Sequence, residues 1–212
     1  MARILIADDQ HVARRGLRAL LESRPGWAVV AEAADGYEAI EEAGRTLPDV
    51  AIMEWSLPHM NGFEVTRRIR QKSLRTEVCI FTHCLEESVV TSALCAGARG
   101  FVLKSDKETE LLDAVEALSR HKRHFSWAVP KSILENFAKH NGHSLNTQLL
   151  TPREREVVQL VAEGLSNKQV GRHLYLSVKT VESHRGAAMR KAGVSSTADL
   201  VRYAVRNHLV EA

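Results

Sequence analysis

The sequence predicts a doubly wound α/β domain with a five-stranded parallel sheet, flavodoxin-like in plan, followed by an all-α domain of four short helices. Two patterns predict it: short runs that are apolar on both faces alternate with helix-period segments over the first 120 residues, and after Leu150 the periodicity is purely helical. Charge divides at the same place. Residues 1–120 carry 15 Lys and Arg against 19 Asp and Glu, a net of −4, while residues 121–212 carry 14 against 7, a net of +7. With 212 residues and 44% hydrophobic content, the chain is long enough to bury two modest cores.

The strand runs, in order, are Ile4-Leu5-Ile6-Ala7, Trp27-Ala28-Val29-Val30, Val50-Ala51-Ile52-Met53, Val78-Cys79-Ile80-Phe81 and Phe101-Val102-Leu103. Runs apolar on both faces suit a parallel sheet covered by helices on each side. Val12, Gly16, Leu17, Leu20 and Leu21 mark the inner face of a first helix, and Leu111, Ala114, Val115 and Leu118 that of a last one. From His121 to Leu150 the periodicity weakens. His121-Lys122-Arg123-His124 reads as a solvated linker, and a helix is expected over Ser132 to Lys139.

Caps mark the four helices that follow. Thr151-Pro152-Arg153-Glu154 is a capping box with proline at the first helical position, and Gly164 stops that helix. Ser166-Asn167-Lys168-Gln169 is a second capping box, Ser177 caps a third helix ending at Gly193, and Ser196 opens a fourth.

No apolar run approaches the roughly 20 residues that cross a bilayer, and Asp8-Asp9 interrupts the N-terminal apolar stretch too early for a signal peptide. The expectation is a cytoplasmic protein without a membrane partner. Cys79, Cys84 and Cys95 are an odd set without a CxxC pair, which argues for free thiols. There is no Gly-rich phosphate loop, no DxD motif and no nucleophile-base pair, so the chain is not read as an enzyme.

In a doubly wound sheet, ligands bind beyond the carboxyl ends of the strands, where Asp8, Asp9, Glu54, Thr82 and Lys104 fall. Three carboxylates gathered there suit a hard dication, Mg²⁺ with retained waters, and a hydroxyl and an ammonium opposite them suit the oxygens of a phosphoryl group. Ala7-Asp8-Asp9-Gln10, Glu54-Trp55-Ser56-Leu57-Pro58 with Met60-Asn61-Gly62, Thr82, and Gly97-Ala98-Arg99-Gly100-Phe101-Val102-Leu103-Lys104 together resemble the receiver domain of two-component response regulators. The resemblance implies Mg²⁺ held by Asp9 directly, Asp8 through water, Glu54, and the Ser56 carbonyl. It also implies that Thr82 and Lys104 contact the phosphoryl group and that Phe101 is the aromatic switch.

The resemblance breaks at the phospho-acceptor. Receivers carry aspartate where this chain has Glu54. One extra methylene displaces the attacking carboxylate by more than about 1 Å, a misplacement that costs around a hundredfold in rate. Either Glu54 imitates the phosphorylated state, as a phosphomimic, or the receiver switches without phosphorylation.

The segment from Leu150 to Val210 resembles the LuxR-type helix-turn-helix of NarL/FixJ response regulators. The residues that carry this are Leu150-Thr151-Pro152-Arg153-Glu154-Arg155-Glu156-Val157, Ala162-Glu163-Gly164-Leu165-Ser166-Asn167-Lys168 and Leu176-Ser177-Val178-Lys179-Thr180-Val181-Glu182-Ser183-His184. The helix from Val178 to Lys191 would enter the major groove. Lys168, Lys179, Arg185, Arg190 and Lys191 are phosphate-contact candidates, with Thr180 and His184 beside them. Glu182, Ser183 and Gly186 fall at the family's base-reading positions. The expected organisation is a receiver at 1–122, a linker with a helix at 123–147, and a DNA-binding domain at 148–212. The expected partners are promoter DNA, bound as a homodimer, and a sensor histidine kinase; the alternative is a phosphorylation-independent interaction module.

Overall fold

The computed structural model describes residues 2–72, 75–139 and 149–210. The chain divides into two compact units that part between the helix ending at Lys139 and the one starting at Pro152.

In the N-terminal unit, β1 (Ala2–Ala7), β2 (Trp27–Ala33), β3 (Val50–Met53), β4 (Glu77–Thr82), β5 (Gly100–Leu103) and β6 (His124–Phe125) form one sheet in the order β2-β1-β3-β4-β5-β6. Every neighbouring pair is parallel. Parallel neighbours need crossovers, and helices α1 (His11–Glu22), α2 (Gly36–Thr46), α3 (Gly62–Lys72), α4 (Glu87–Ala96) and α5 (Glu108–Ser119) supply them. Ile4, Ile6, Val50, Ile52, Cys79 and Val102 present one sheet face to Leu17 and Leu21 of α1 and to Leu111, Val115 and Leu118 of α5. Each such side chain contributes about 1.5–3 kcal/mol by leaving water. The three cysteines are free, and burial pushes the Cys79 thiol up to about 12.

Two expectations need correction. The sheet has six strands instead of five, because β6 adds a two-residue edge to β5 through Gly100 and Phe101; two residues carry no period to read. In α1, Val12 is 82% exposed and Gly16 is exposed as well. Val12 lies nine residues before Leu21, about two and a half turns, and so faces the opposite way.

In the histidine run expected to be solvated, His121, Lys122 and Arg123 are exposed, and both histidines also meet a carboxylate of the unit. His121 Nδ1 lies 2.9 Å from Glu77 Oε1, and His124 Nε2 lies 3.0 Å from Glu110 Oε1. Helix α6 (Lys131–Lys139), expected over Ser132 to Lys139, then contacts α4.

The C-terminal unit consists of α7 (Pro152–Ala162), α8 (Asn167–Leu174), α9 (Val178–Ala192) and α10 (Thr197–Arg206). Both capping boxes close as the sequence predicts, and the Ser177 and Ser196 side chains accept from the amides of Thr180 and Asp199. Each cap is worth about 1 kcal/mol. Helix α9 packs on both α7 and α8, and α10 packs on α7. Among the described residues no helix is long and apolar enough to cross a membrane.

Candidate functional site

From β1 the chain crosses to β2 on one side and then to β3 on the other, so the crevice of the doubly wound sheet opens at the carboxyl ends of β1 and β3. Asp8 follows β1 and Glu54 follows β3; both are buried. The Glu54 amide donates to the Ala7 carbonyl at 2.8 Å, which fixes the two loops against each other. Gly62 at the start of α3 is required here, since a Cβ would stand 2.7 Å from the Glu54 carbonyl oxygen. From the neighbouring strands come Thr82, buried at the end of β4, and Lys104, just after β5, whose amide donates to the Thr82 carbonyl at 2.9 Å.

Lys104 closes the site. Its Nζ lies 2.6 Å from Asp8 Oδ2 and 2.6 Å from Glu54 Oε2, with the lysine side chain only 8% exposed. Burial pulls the ammonium down, but the hydrogen bonds and charges of Asp8 and Glu54 outweigh it and hold Lys104 above the ordinary lysine value. The other Glu54 oxygen accepts from the amides of Trp55, at 2.6 Å, and Ser56, at 3.3 Å. Asp8 Oδ1 accepts from the Gln10 amide at 2.9 Å. The Thr82 hydroxyl accepts from the Cys84 amide at 3.3 Å. Asp9 is exposed, and Phe101 is buried within β5.

Of the oxygen donors named for Mg²⁺, Asp8 and Glu54 come together at this edge, and carboxylate oxygens suit a hard dication. Their arrangement does not. The ammonium of Lys104 already sits between the two buried carboxylates, leaving the exposed Asp9 as the one uncommitted acid of the set.

In the C-terminal unit, α8 and α9 meet through the turn Tyr175-Leu176-Ser177. Gly171 makes this approach possible, because a Cβ there would meet the Leu176 carbonyl at 2.8 Å. Val181 and Ala188 form the buried side of α9, while Lys179, Glu182, Ser183 and Arg190 are exposed. Lys168 is exposed on α8, and Thr180, His184 and Gly186 are half-buried. The Thr180 hydroxyl pairs with Ser177 Oγ at 2.8 Å, and Ser183 Oγ donates to the Lys179 carbonyl at 2.9 Å.

Two cations of the expected DNA-contacting set are engaged inside the unit. Arg185 donates to Asn167 Oδ1 at 3.2 Å and to Thr197 Oγ1, which ties α9 to α8 and α10. Lys191 Nζ lies 2.7 Å from Glu154 Oε2, the oxygen that also accepts from the Thr151 amide in the first capping box. Burial works against the Glu154 charge, but Lys191 and Thr151 outweigh it and hold the carboxyl below its ordinary range. The partners of Lys191 and Arg185 stand 37 and, for Asn167, 18 residues away, so no local pattern announces them.

Residues 4–116 match the response regulator receiver domain, and residues 148–204 match the bacterial regulatory proteins of the luxR family. The transcriptional regulatory protein LiaR of Bacillus subtilis is 34% identical over 210 residues, covering 99% of this chain and all of LiaR. The crystal structure of a LuxR-family two-component response regulator from Aurantimonas sp. SI85-9A1 is 40% identical with a TM-score of 0.61, over 65% of this chain and 99% of that one. RcsB from Salmonella enterica serovar Typhimurium, solved bound to a promoter in the presence of a phosphomimetic, is 26% identical with a TM-score of 0.62, over 95% of this chain and 97% of that one. RcsB has also been solved as two dimers bound to two parallel DNAs. The chain belongs to the LuxR family of two-component response regulators, DNA-binding proteins in which a receiver domain is joined to a LuxR-type helix-turn-helix.

Proposed function

We propose that this regulator binds its promoter as a dimer without a phosphodonor, its receiver fixed by Glu54 in one state of the switch. The observation that carries the reading is the saturation of the Glu54 carboxylate by Lys104, Trp55 and Ser56. An ammonium and two backbone amides are the groups that would hold an acyl-phosphate oxygen, and here they hold a carboxylate that belongs to the chain. Glu54 therefore acts as a phosphomimic by position, with one charge in place of the −1.5 to −2 or so of a phosphate.

The reading assigns residues 1–122 to the receiver, 123–147 to a connection whose first residues extend the receiver's sheet as β6, and 148–212 to DNA binding. Lys168 and Lys179 meet phosphates, with Thr180 and His184 at the groove edge. Glu182, Ser183 and Gly186 face base edges, where Glu182 accepts from a cytosine amino group. A sensor histidine kinase docks without leaving a phosphoryl group on the acceptor position. The protein works in the cytoplasm by binding, with no turnover of its own. Receiver domains typically use Mg²⁺ for phosphorylation; with Lys104 between Asp8 and Glu54, no such role is assigned here.

Thr82 favours a second reading. Its hydroxyl is directed to the Cys84 amide, as expected of an interaction module that switches by protein contact and leaves Thr82 unrecruited.

The test is gel shift and sizing of the chain and its Glu54→Asp variant, each with and without an acyl-phosphate donor and Mg²⁺. The expected result is a DNA-bound dimer of the Glu54 form under all conditions and a donor-dependent one for the variant. A Glu54 form that stays monomeric and silent while the phosphorylated variant binds would overturn the proposal.

A further inference from the structure

Helix α9 presents a narrow stripe away from the unit's core. At about 100° per residue, positions 179, 186 and 190 lie within about 40° of one another, opposite the buried Val181 and Ala188. Gly186 stands in the middle of this stripe and has no side chain. A Cβ placed on it would meet a single neighbouring atom, Arg190 Nη1, at 3.5 Å. Helical side chains lean toward the N-terminus and cover the turn before their own. The guanidinium of Arg190 therefore lies over the gap that Gly186 leaves.

That guanidinium is also free. Arg185 and Lys191 are held inside the unit, whereas the Arg190 side chain is exposed and has no hydrogen-bond or ion-pair partner among the described residues. A planar fork of donors suits the paired acceptors O6 and N7 of guanine. We infer that Arg190, reaching across Gly186, is a base-reading residue that selects a G·C pair in each half-site. Position 186 supplies the space, and the residue one turn later supplies the chemistry. The assignment rests on the DNA-binding reading of this face and adds a specificity contact to one that Glu182 and Ser183 alone define weakly.

The experiment lets the full chain select duplexes from a random-sequence DNA library and then measures competitive binding with every base pair of the preferred half-site varied in turn. Wild type is expected to prefer one G·C pair by about 5- to 150-fold, the range of one good bidentate contact. Arg190→Ala and Arg190→Lys should lose that preference while discrimination elsewhere and the salt dependence stay close to wild type. Gly186→Leu, which fills the space under the guanidinium, should lose the same preference although Arg190 is present. Helical content measured by circular dichroism must match wild type in each variant, and Arg190→Lys serves as the mildest of the three. If Arg190→Ala instead weakens all duplexes alike and lowers the salt slope by about 1, Arg190 contacts phosphate and the assignment fails. If the library yields no enriched duplex at all, the DNA-binding reading fails, and this assignment with it.

Discussion

Replacing Lys104 with methionine isolates the charge that closes the receiver site. The change keeps an unbranched side chain that reaches as far as the lysine Cε and removes the ammonium beyond it. What remains is a pair of carboxylates whose side chains are 2% and 6% exposed, each having lost a partner at 2.6 Å. Removing one member of a buried ion pair costs about 3–5 kcal/mol, because an uncompensated charge stays in the interior. For a domain of this size, between those that lose more and less per kcal/mol, that corresponds to a fall in melting temperature of about 12–20 °C.

Thermal unfolding in the presence of a chelator, followed by tryptophan fluorescence, to which Trp55 buried beside Glu54 contributes, reads this directly. Adding Mg²⁺ provides the second arm. In the variant a dication can take the place of the ammonium, and saturation at 100 times its Kd would return about 2.7 kcal/mol. Wild type should show no such shift. At high pH the signs reverse: the raised Lys104 value means that its stabilisation is complete below 10.5 and is lost as pH rises through the higher folded-state value, a step that the methionine variant lacks. A loss under about 1 kcal/mol, or an equal response of both proteins to Mg²⁺, would refute the view of Lys104 as the site's internal cation.

Gly171→Ala should destabilise the C-terminal unit by about 1–3 kcal/mol, since its Cβ would press on the Leu176 carbonyl at 2.8 Å, and calorimetry of the full chain should show one of its transitions lowered. Lys191→Met should cost about 1 kcal/mol or less, because Lys191 is 39% exposed and its pair with Glu154 is screened. The depressed Glu154 value gives that pair its effect above the ordinary carboxylate value of 4.5, and it is lost as pH falls through the lower folded value; the variant should show a smaller loss of stability in acid titration. With Arg185 and Lys191 engaged internally and Arg190 assigned to a base, the proposed phosphate contacts come down to Lys168 and Lys179, two per unit and four per dimer. The slope of log K against log salt should then lie near about −3.6, and a slope near −7 would return the two engaged cations to the DNA.

Much of this was readable in the sequence because it is local. The strand runs, the stripe of α5, both capping boxes and the Gly193 stop are set by residues within a turn or two of one another, and they stand where predicted. The gathering of Asp8, Glu54, Thr82 and Lys104 was readable for a different reason: sheet topology places the residue after each strand at one edge. What the sequence did not yield is which charges satisfy one another. Lys104 between Asp8 and Glu54, and Lys191 on Glu154, are pairings across tens of residues, and either lysine would pass equally well for a ligand-binding one in a list of cations. β6 escaped because it is held by the edge of β5 rather than by any pattern of its own.

The Glu54 triad places a limit on what this receiver can imitate. Lys104 answers two carboxylates at once, so Asp8, Glu54 and Lys104 together carry a net of −1, and the field at the switch is weaker than a phosphoryl group would make it. Position compensates in part: the extra methylene of glutamate lets one oxygen reach Lys104 while the other turns back to the amides of Trp55 and Ser56. Glu54 reaches Lys104 but not Thr82, whose hydroxyl accepts from the Cys84 amide. If Glu54 fixes the state of the receiver through Lys104 and the loop after β3, the Thr82 hydroxyl is dispensable. Thr82→Ala should then leave dimerisation and DNA binding within about twofold of wild type, at some cost in stability for the lost hydrogen bond. If Thr82→Ala abolishes binding without unfolding the chain, the hydroxyl is part of the active arrangement, and the contact with Cys84 marks a receiver that is not in it.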